Sequence, residues 1–175
     1  MKRVLSATVF SACLLAVSPV VRAQNCSNLT NYDYRGTYTM LGSGWADVSK
    51  LLAGIPGLPP VPTGFVPMSW VGLTVFDGRG GATGWVSVNS AGTQMSASFV
   101  NKTYSVQPDC SIRVTFSMKI NELPGNPVIG PFQRIMVPVF KPDSLELHMT
   151  FAGNAPGAPG GAAVDSGVAY RISMM

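Results

Sequence analysis

Few side chains in this sequence have the chemistry of a catalytic group. His148 is the single histidine, and strand alternation places it on the same face as Glu146. Such a pair on one strand would be about 7 Å apart, given a rise of roughly 3.3 Å per residue. The same pattern describes a solvated outer face, and an isolated Glu-x-His has little specificity. Glu146 and His148 are therefore weak catalytic candidates, and the solvated face is the expected outcome.

The sequence lacks the residues that other common catalytic arrangements require. A serine triad would need a nucleophile elbow of the form GxSxG, which the sequence does not contain. The glycine-rich residues 77–81 lack the GK[ST] ending of a phosphate loop, so they predict a hairpin turn. Two thiols and one histidine make a poor zinc set, and no motif indicates a cofactor. The sequence thus predicts no metal and no cofactor, and it favours a non-enzymatic function.

The first residues have the pattern of a secretory signal peptide. A basic Met1-Lys2-Arg3 start is followed by an almost wholly apolar run and then by Ala23 at a cleavage position. We expect a cleaved signal over residues 1–23 and a single domain over residues 24–175. The predicted location is therefore outside the cytoplasm, in the periplasm or the extracellular medium.

Charge and hydropathy limit the partners. The formal net charge is +4, and loss of the signal would lower it to about +1. No basic patch then remains to indicate nucleic acid. No segment after the signal is long and apolar enough to predict an integral membrane span.

Two cysteines remain once Cys13 leaves with the signal. In an exported protein the expectation is that Cys26 and Cys110 form a disulfide. The bond would hold the N-terminal part of the mature chain against a strand in the middle of the sequence. The chain-entropy argument gives a stabilisation of roughly 4 kcal/mol for a loop of this length. The alternatives are a reactive thiol or half of a metal site.

Period-2 alternation runs through most of the chain and predicts an all-β fold. Strands are expected at residues 34–41, 66–76, 82–89, 94–100, 111–120, 132–140, 145–152 and 164–173, with residues 103–106 continuing the fourth after a bulge. In the last strand Val164, Val168, Tyr170 and Ile172 form the apolar set, which alternation assigns to the core. Short glycine and proline turns favour an antiparallel meander of eight or nine strands closed into a small barrel. A two-sheet sandwich is the rival architecture.

Three segments depart from the strand pattern. Residues 45–53 have apolar side chains near helical spacing, which predicts one or two helical turns. Residues 55–67 contain five prolines and predict an extended loop. Residues 153–163 are a low-complexity connection rich in glycine and alanine.

Three stretches resemble a family of small exported bacterial proteins. They are YRGTYTM, GLTVFDGRGGATGWVSVNSAGT and TYSVQPDCSIRVTF. The family is similar in architecture to allene oxide cyclase and lipocalin-like barrels. The resemblance covers roughly residues 26–116, and it implies a barrel and an exported location. It carries over no catalytic residue.

Aromatic side chains supply the remaining functional signal. Trp45, Trp70, Trp85 and Tyr38 are the candidate ligand-binding residues, since an eight-stranded barrel is just wide enough to hold one small ligand. We rank a binding module for a small apolar ligand first and a structural or surface-interaction protein with a filled core second. A cyclase- or isomerase-like enzyme, in which the cavity folds a reactive substrate, ranks third.

Overall fold

The described part of the chain is almost entirely β-structure. The structure is a computed structural model, described for residues 28–52, 55, 63–141, 144–154 and 163–174. A 3₁₀ turn at Asn31–Tyr34 leads into the first strand. The strands are β1 (Gly36–Ala46), β2 (Val66–Phe76), β3 (Gly81–Ser90), β4 (Thr93–Val106), β5 (Ile112–Ile120), β6 (Val128–Lys141), β7 (Ser144–Asn154) and β8 (Ala163–Ser173), and the short helix α1 (Val48–Leu51) lies between β1 and β2.

The strands form a closed antiparallel barrel. Each strand pairs with the next along the chain, and β8 pairs with β1 to complete the ring. This confirms the all-β meander and decides between the barrel and the sandwich. The strand count is eight because β4 continues through its bulge. Because the ring is closed, each of the described strands is paired with a neighbour on both sides.

Strand β1 is longer than the sequence predicted. The expected strand ended at residue 41, whereas β1 continues to Ala46 and the helix is limited to Val48–Leu51. The reason is tertiary: Gly42–Ala46 pair with β2 on one side and with β8 on the other. Two ladders of hydrogen bonds override the weak helical spacing of this segment.

One end of the barrel, which we call the aromatic end, is filled with packed rings. The centroids of Tyr38 and Phe76 are 5.3 Å apart, and those of Phe76 and Tyr104 are 4.5 Å apart. The N-terminal turn closes this end through Asn31. Its carbonyl accepts the Tyr104 hydroxyl at 3.0 Å, and its side-chain oxygen accepts the Val106 N–H at 3.2 Å.

The opposite end, which we call the helix end, is covered by α1. The Asp47 carboxylate caps the helix by accepting the Lys50 N–H, and its own side chain is buried. Val48 and Leu52 are buried against the strand ends. A short helix was predicted in this region, and the structure confirms it.

Alternation assigns the faces of β5 and β7 correctly and that of β8 wrongly. Ile112, Val114, Leu145 and Leu147 are buried, as predicted. In β8 the apolar set faces outward: Val164 is 68% exposed, Ile172 is 57% exposed and Tyr170 is 40% exposed. The buried β8 side chains are Asp165 and Ala169. The outcome is set by the ion pair that Asp165 makes with Arg134 inside the barrel.

Several predictions concern residues outside the described part. These are the signal segment 1–23, Cys26, residues 56–62 of the proline-rich loop and residues 155–162 of the low-complexity connection. Among the helices that the described residues form, none combines the length and apolar character needed to cross a bilayer.

Candidate ligand-binding cavity

The helix-end half of the barrel contains a cavity of about 100 Å³. Its wall is mostly apolar and draws on side chains from the strands and from α1. The apolar lining residues include Met40, Ala46, Val48, Leu52, Met68, Trp70, Met95, Ala97, Phe99, Phe116, Met118, Ile129 and Phe132. Among the described residues, four polar side chains complete the wall: Ser90, Lys102, Arg134 and Asp165. A concave apolar site with a few polar groups is the usual form of a small-molecule site.

Lys102 points into the barrel because β4 contains a bulge. The pairing register of β4 shifts between Val100 and Thr103, and Asn101 there has a φ of +51°. The inserted residue reverses the alternation. Ala97 is buried before the bulge, whereas Lys102 and Tyr104 are buried after it. Without the bulge, Lys102 would share the outward face of Val100.

The ammonium group of Lys102 has little contact with water. Lys102 is 5% exposed, and its Nζ donates to the Thr74 hydroxyl at 2.7 Å. Nζ also lies 3.8 Å from the ring centroid of Phe99, 5.8 Å from that of Phe76 and 6.0 Å from that of Phe116. These rings offset part of the lost hydration through cation–π attraction.

The protonation of Lys102 is perturbed by this environment. Burial lowers the pKa of Lys102 well below its ordinary value, and the positive charge of Arg134 lowers it further. A lysine of this kind changes its charge more readily than one at the surface, so it can respond to a charged molecule in the cavity.

Arg134 and Asp165 form a buried ion pair across the same space. The Arg134 guanidinium donates to the Asp165 carboxylate, whose side chain is only 1% exposed. Burial raises the pKa of Asp165, and the Arg134 charge opposes that rise. The Trp70 indole N–H lies beside this carboxylate and also lowers its pKa, without completing a hydrogen bond. Arg134 stays protonated in such a pair.

This pair explains the reversed face of β8. Asp165 must point inward to meet Arg134. Because successive side chains of a strand lie on opposite faces, its neighbour Val164 then lies on the surface. Gly167 also faces inward, where a Cβ would lie 2.6 Å from carbons of the Trp70 ring. Gly42 also contacts this ring, and a Cβ added at Gly42 would lie 2.2 Å from Trp70 Cζ2. The indole thus occupies a space that two paired glycines leave.

Trp70 joins the ion pair to the aromatic wall. It is 5% exposed, and the Arg134 guanidinium carbon lies 4.3 Å above its ring centroid. The same guanidinium lies 5.9 Å from the Phe116 centroid. Phe116 therefore stands between the two cations, within about 6 Å of each.

The four predicted ligand-binding aromatics occupy different places. Trp70 lines the cavity. Tyr38 is fully buried, but it belongs to the aromatic end, where its hydroxyl donates to the Tyr34 carbonyl at 2.8 Å. Trp45 is 54% exposed and Trp85 is 47% exposed, both on the outer surface. The structure therefore brings one of the four to the cavity.

Glu146 and His148 lie on the outer face of β7. His148 Nε2 is 3.4 Å from Glu146 Oε2, and the His148 side chain is 56% exposed. Neither residue lines the cavity. His148 matches the solvated face that alternation suggested, whereas the Glu146 side chain is only 13% exposed. In the described residues no group of three or more histidine, cysteine, aspartate or glutamate side chains is placed to hold a metal ion.

Sequence reasoning missed Lys102, Arg134 and Asp165. One local signal existed for Lys102: Asn101 follows the predicted strand 94–100, and asparagine is enriched at positive φ, where bulges form. For Arg134 and Asp165 there was no local signal. They are separated by 31 positions and meet only because β6 and β8, the two neighbours of β7 in the ring, both turn these side chains into the barrel interior.

Comparisons with protein-family models, with curated proteins and with solved structures find no match for this chain. The family resemblance therefore stays a prediction, and the site must be interpreted from its own geometry.

Proposed function

We propose that this protein is an exported barrel that binds a small, largely apolar ligand in its interior. The observation that carries the proposal is the cavity beneath α1, whose wall is mostly apolar. A structural protein with a filled core would be packed at both ends. Here the aromatic end is filled, and the helix end is not.

The Met side chains of the wall suit this function. Met40, Met68, Met95 and Met118 all line the cavity. Methionine is unbranched and polarisable, so it adapts to ligands of irregular shape. The volume of about 100 Å³ is smaller than the ~150 Å³ of an engineered cavity that binds benzene. The ligand, or the part of it held inside, is therefore small.

Export and the Cys26–Cys110 disulfide form part of the same proposal. Support comes from Cys110, which is buried and whose side chain is not free. Asn31 is bound to β4 near the turn that carries Cys110. Cys26 precedes Asn31 by five positions, a length of chain that can span at most about 18 Å. That length allows Cys26 to reach this turn.

Trp70 provides a built-in probe for ligand binding. The protein has three tryptophans, of which Trp45 and Trp85 are exposed. Replacing both with phenylalanine leaves Trp70 as the only indole. We expect titration of this variant with 1-hexanol to give a saturable change in Trp70 emission, because the ring lines the cavity.

Two matched variants test whether the signal comes from the cavity. Ala97→Leu adds volume inside, since Ala97 is 3% exposed and lines the wall. Thr103→Leu makes a similar change on the outer face of the same strand. Ala97→Leu should weaken hexanol binding, and Thr103→Leu should not. Absence of any saturable response to short-chain alcohols and carboxylates alike would contradict the proposed function.

A further inference from the structure

The cavity carries more buried positive than negative charge. Its lining contains two cations, Lys102 and Arg134, and one carboxylate, Asp165. Arg134 and Asp165 neutralise each other. In the described structure the only oxygen partner of Lys102 is the neutral Thr74 hydroxyl. An unpaired buried cation is strongly unfavourable, so this arrangement is suited to an anion supplied from outside.

We propose that the ligand is a short-chain aliphatic carboxylate, whose head group binds beside Lys102 and Arg134 and whose tail extends toward the helix end. This inference rests on the proposed function and names the ligand class for the same cavity. Lys102 lies deep in the cavity, since its Nζ is 5.8 Å from the Phe76 centroid at the aromatic end. The wall nearer α1 is mostly apolar, with Ser90 and the paired Asp165 as its polar members. A molecule with one charged end and one apolar end matches this polarity.

The hydrogen-bonding capacity of the site fits a carboxylate. The Thr74 hydroxyl donates its proton to the Thr83 carbonyl at 3.2 Å, so it can only accept from Lys102. A protonated lysine has three N–H donors, of which this bond uses one. Arg134 has five donors, and within the described residues its hydrogen bond goes to Asp165. Donors therefore outnumber acceptors, as carboxylate recognition requires.

The binding of an anion should be coupled to the protonation of Lys102. Of the side chains that face Lys102, those from β2, β4 and β5 (Thr74, Phe76, Phe99 and Phe116) are neutral. The charged groups nearby are Arg134 from β6 and its partner Asp165 from β8. A bound carboxylate would favour the charged ammonium, and loss of the Lys102 proton at higher pH would remove the attraction.

The test compares three probes of equal chain length on the full chain carrying Trp45→Phe and Trp85→Phe. Hexanoate, 1-hexanol and hexylamine are titrated at pH 7 while Trp70 emission is recorded. We expect hexanoate to bind at least about tenfold more tightly than hexanol, the factor that one charge-assisted hydrogen bond supplies. Hexylamine should bind most weakly because the buried cations repel it.

The residue assignment is tested with Lys102→Met, which keeps an unbranched side chain one heavy atom shorter and removes the charge. This variant should lose the preference for hexanoate over hexanol and retain hexanol binding. Lys119→Met removes an exposed lysine from β5 and should change neither affinity. If Lys102→Met does not fold, the pH profile of the unmodified site replaces it. The ratio of hexanoate to hexanol affinity should then fall as the pH rises from 7 to 10.

The possible outcomes separate the two proposals. Equal affinity for hexanoate and hexanol, or a preference that Lys102→Met leaves intact, overturns the carboxylate assignment while the binding function stands. A hexanoate preference that does not change with pH also overturns the role of Lys102. If none of the three probes binds, the proposed binding function itself fails.

Discussion

At the residue scale, Lys102 is the side chain whose placement most needs explanation. Folding removes its ammonium from water, and the effective penalty for such a group is several kcal/mol. One hydrogen bond to Thr74 and a ring contact to Phe99 offset only part of it. A lysine kept in this position despite that penalty is typical of functional sites.

The first prediction concerns the stability of Lys102→Met as a function of pH. The pKa of Lys102 is lowered in the folded state from an ordinary 10.5. Between the folded and unfolded pKa values the unfolded chain binds more protons, so wild-type stability rises with pH across that interval. The stability of the Lys102→Met variant lacks this rise with pH. Its advantage over wild type should be on the order of 1 kcal/mol or more at pH 7 and should shrink toward pH 10.

Urea denaturation at several pH values between 7 and 10 measures this difference. Tyr34 and Tyr38, whose pKa values burial raises to about 12, are common to both proteins and cancel. Lys119→Met serves as the control and should show no pH-dependent difference from wild type. A constant offset for Lys102→Met across this range would show that Lys102 is not perturbed.

At the element scale, the bulge in β4 determines which side chains enter the cavity. A regular strand would turn either Ala97 or Lys102 outward, since alternation allows only one phase. Asn101 absorbs the extra residue at a φ of +51° and is itself exposed. The bulge thus lets one strand present an apolar half and a cationic half to the same interior.

Substitution of Asn101 tests that geometry. A β-branched residue is strained at positive φ, so Asn101→Val should lower the free energy of unfolding by about 1–2 kcal/mol. Asn101→Gly should be neutral or slightly stabilising because glycine adopts this conformation freely. Ser105→Val, in the regular part of the same strand, should not destabilise. Equal denaturation midpoints for the valine and glycine variants at position 101 would argue against the bulge.

At the scale of the whole molecule, the two ends of the barrel have different roles. The aromatic end is packed and is closed by the N-terminal turn through Asn31. The helix end contains the cavity beneath α1. This separation lets one half stabilise the ring of strands while the other half remains available to a ligand.

The proposed disulfide should stabilise the aromatic end. Exported protein should show no free thiol at Cys26 or Cys110 on titration under denaturing conditions. The double variant Cys26→Ser/Cys110→Ser should lose up to about 4 kcal/mol of unfolding free energy, measured by urea denaturation. A reductant should destabilise wild type and leave the double variant unchanged. Two titratable thiols in exported protein would rule out the pairing.

Sequence pattern alone was sufficient for the fold class. Alternation and turn residues predicted an antiparallel meander closed into a barrel, and β2 begins and ends at the predicted residues. Both signals are local: a side chain's face depends on its neighbours two positions away, and a turn depends on a few residues. Such information is present in the chain before it folds.

The tertiary structure decided which side chains line the barrel interior. The apolar set of β8 faces outward because Asp165 must meet Arg134, and Lys102 enters because β4 bulges against both of its neighbours. Trp70 can line the cavity because two glycines from β1 and β8 leave room for its ring. These outcomes depend on the register between strands distant in sequence, and local periodicity carries no information about which distant side chains will meet.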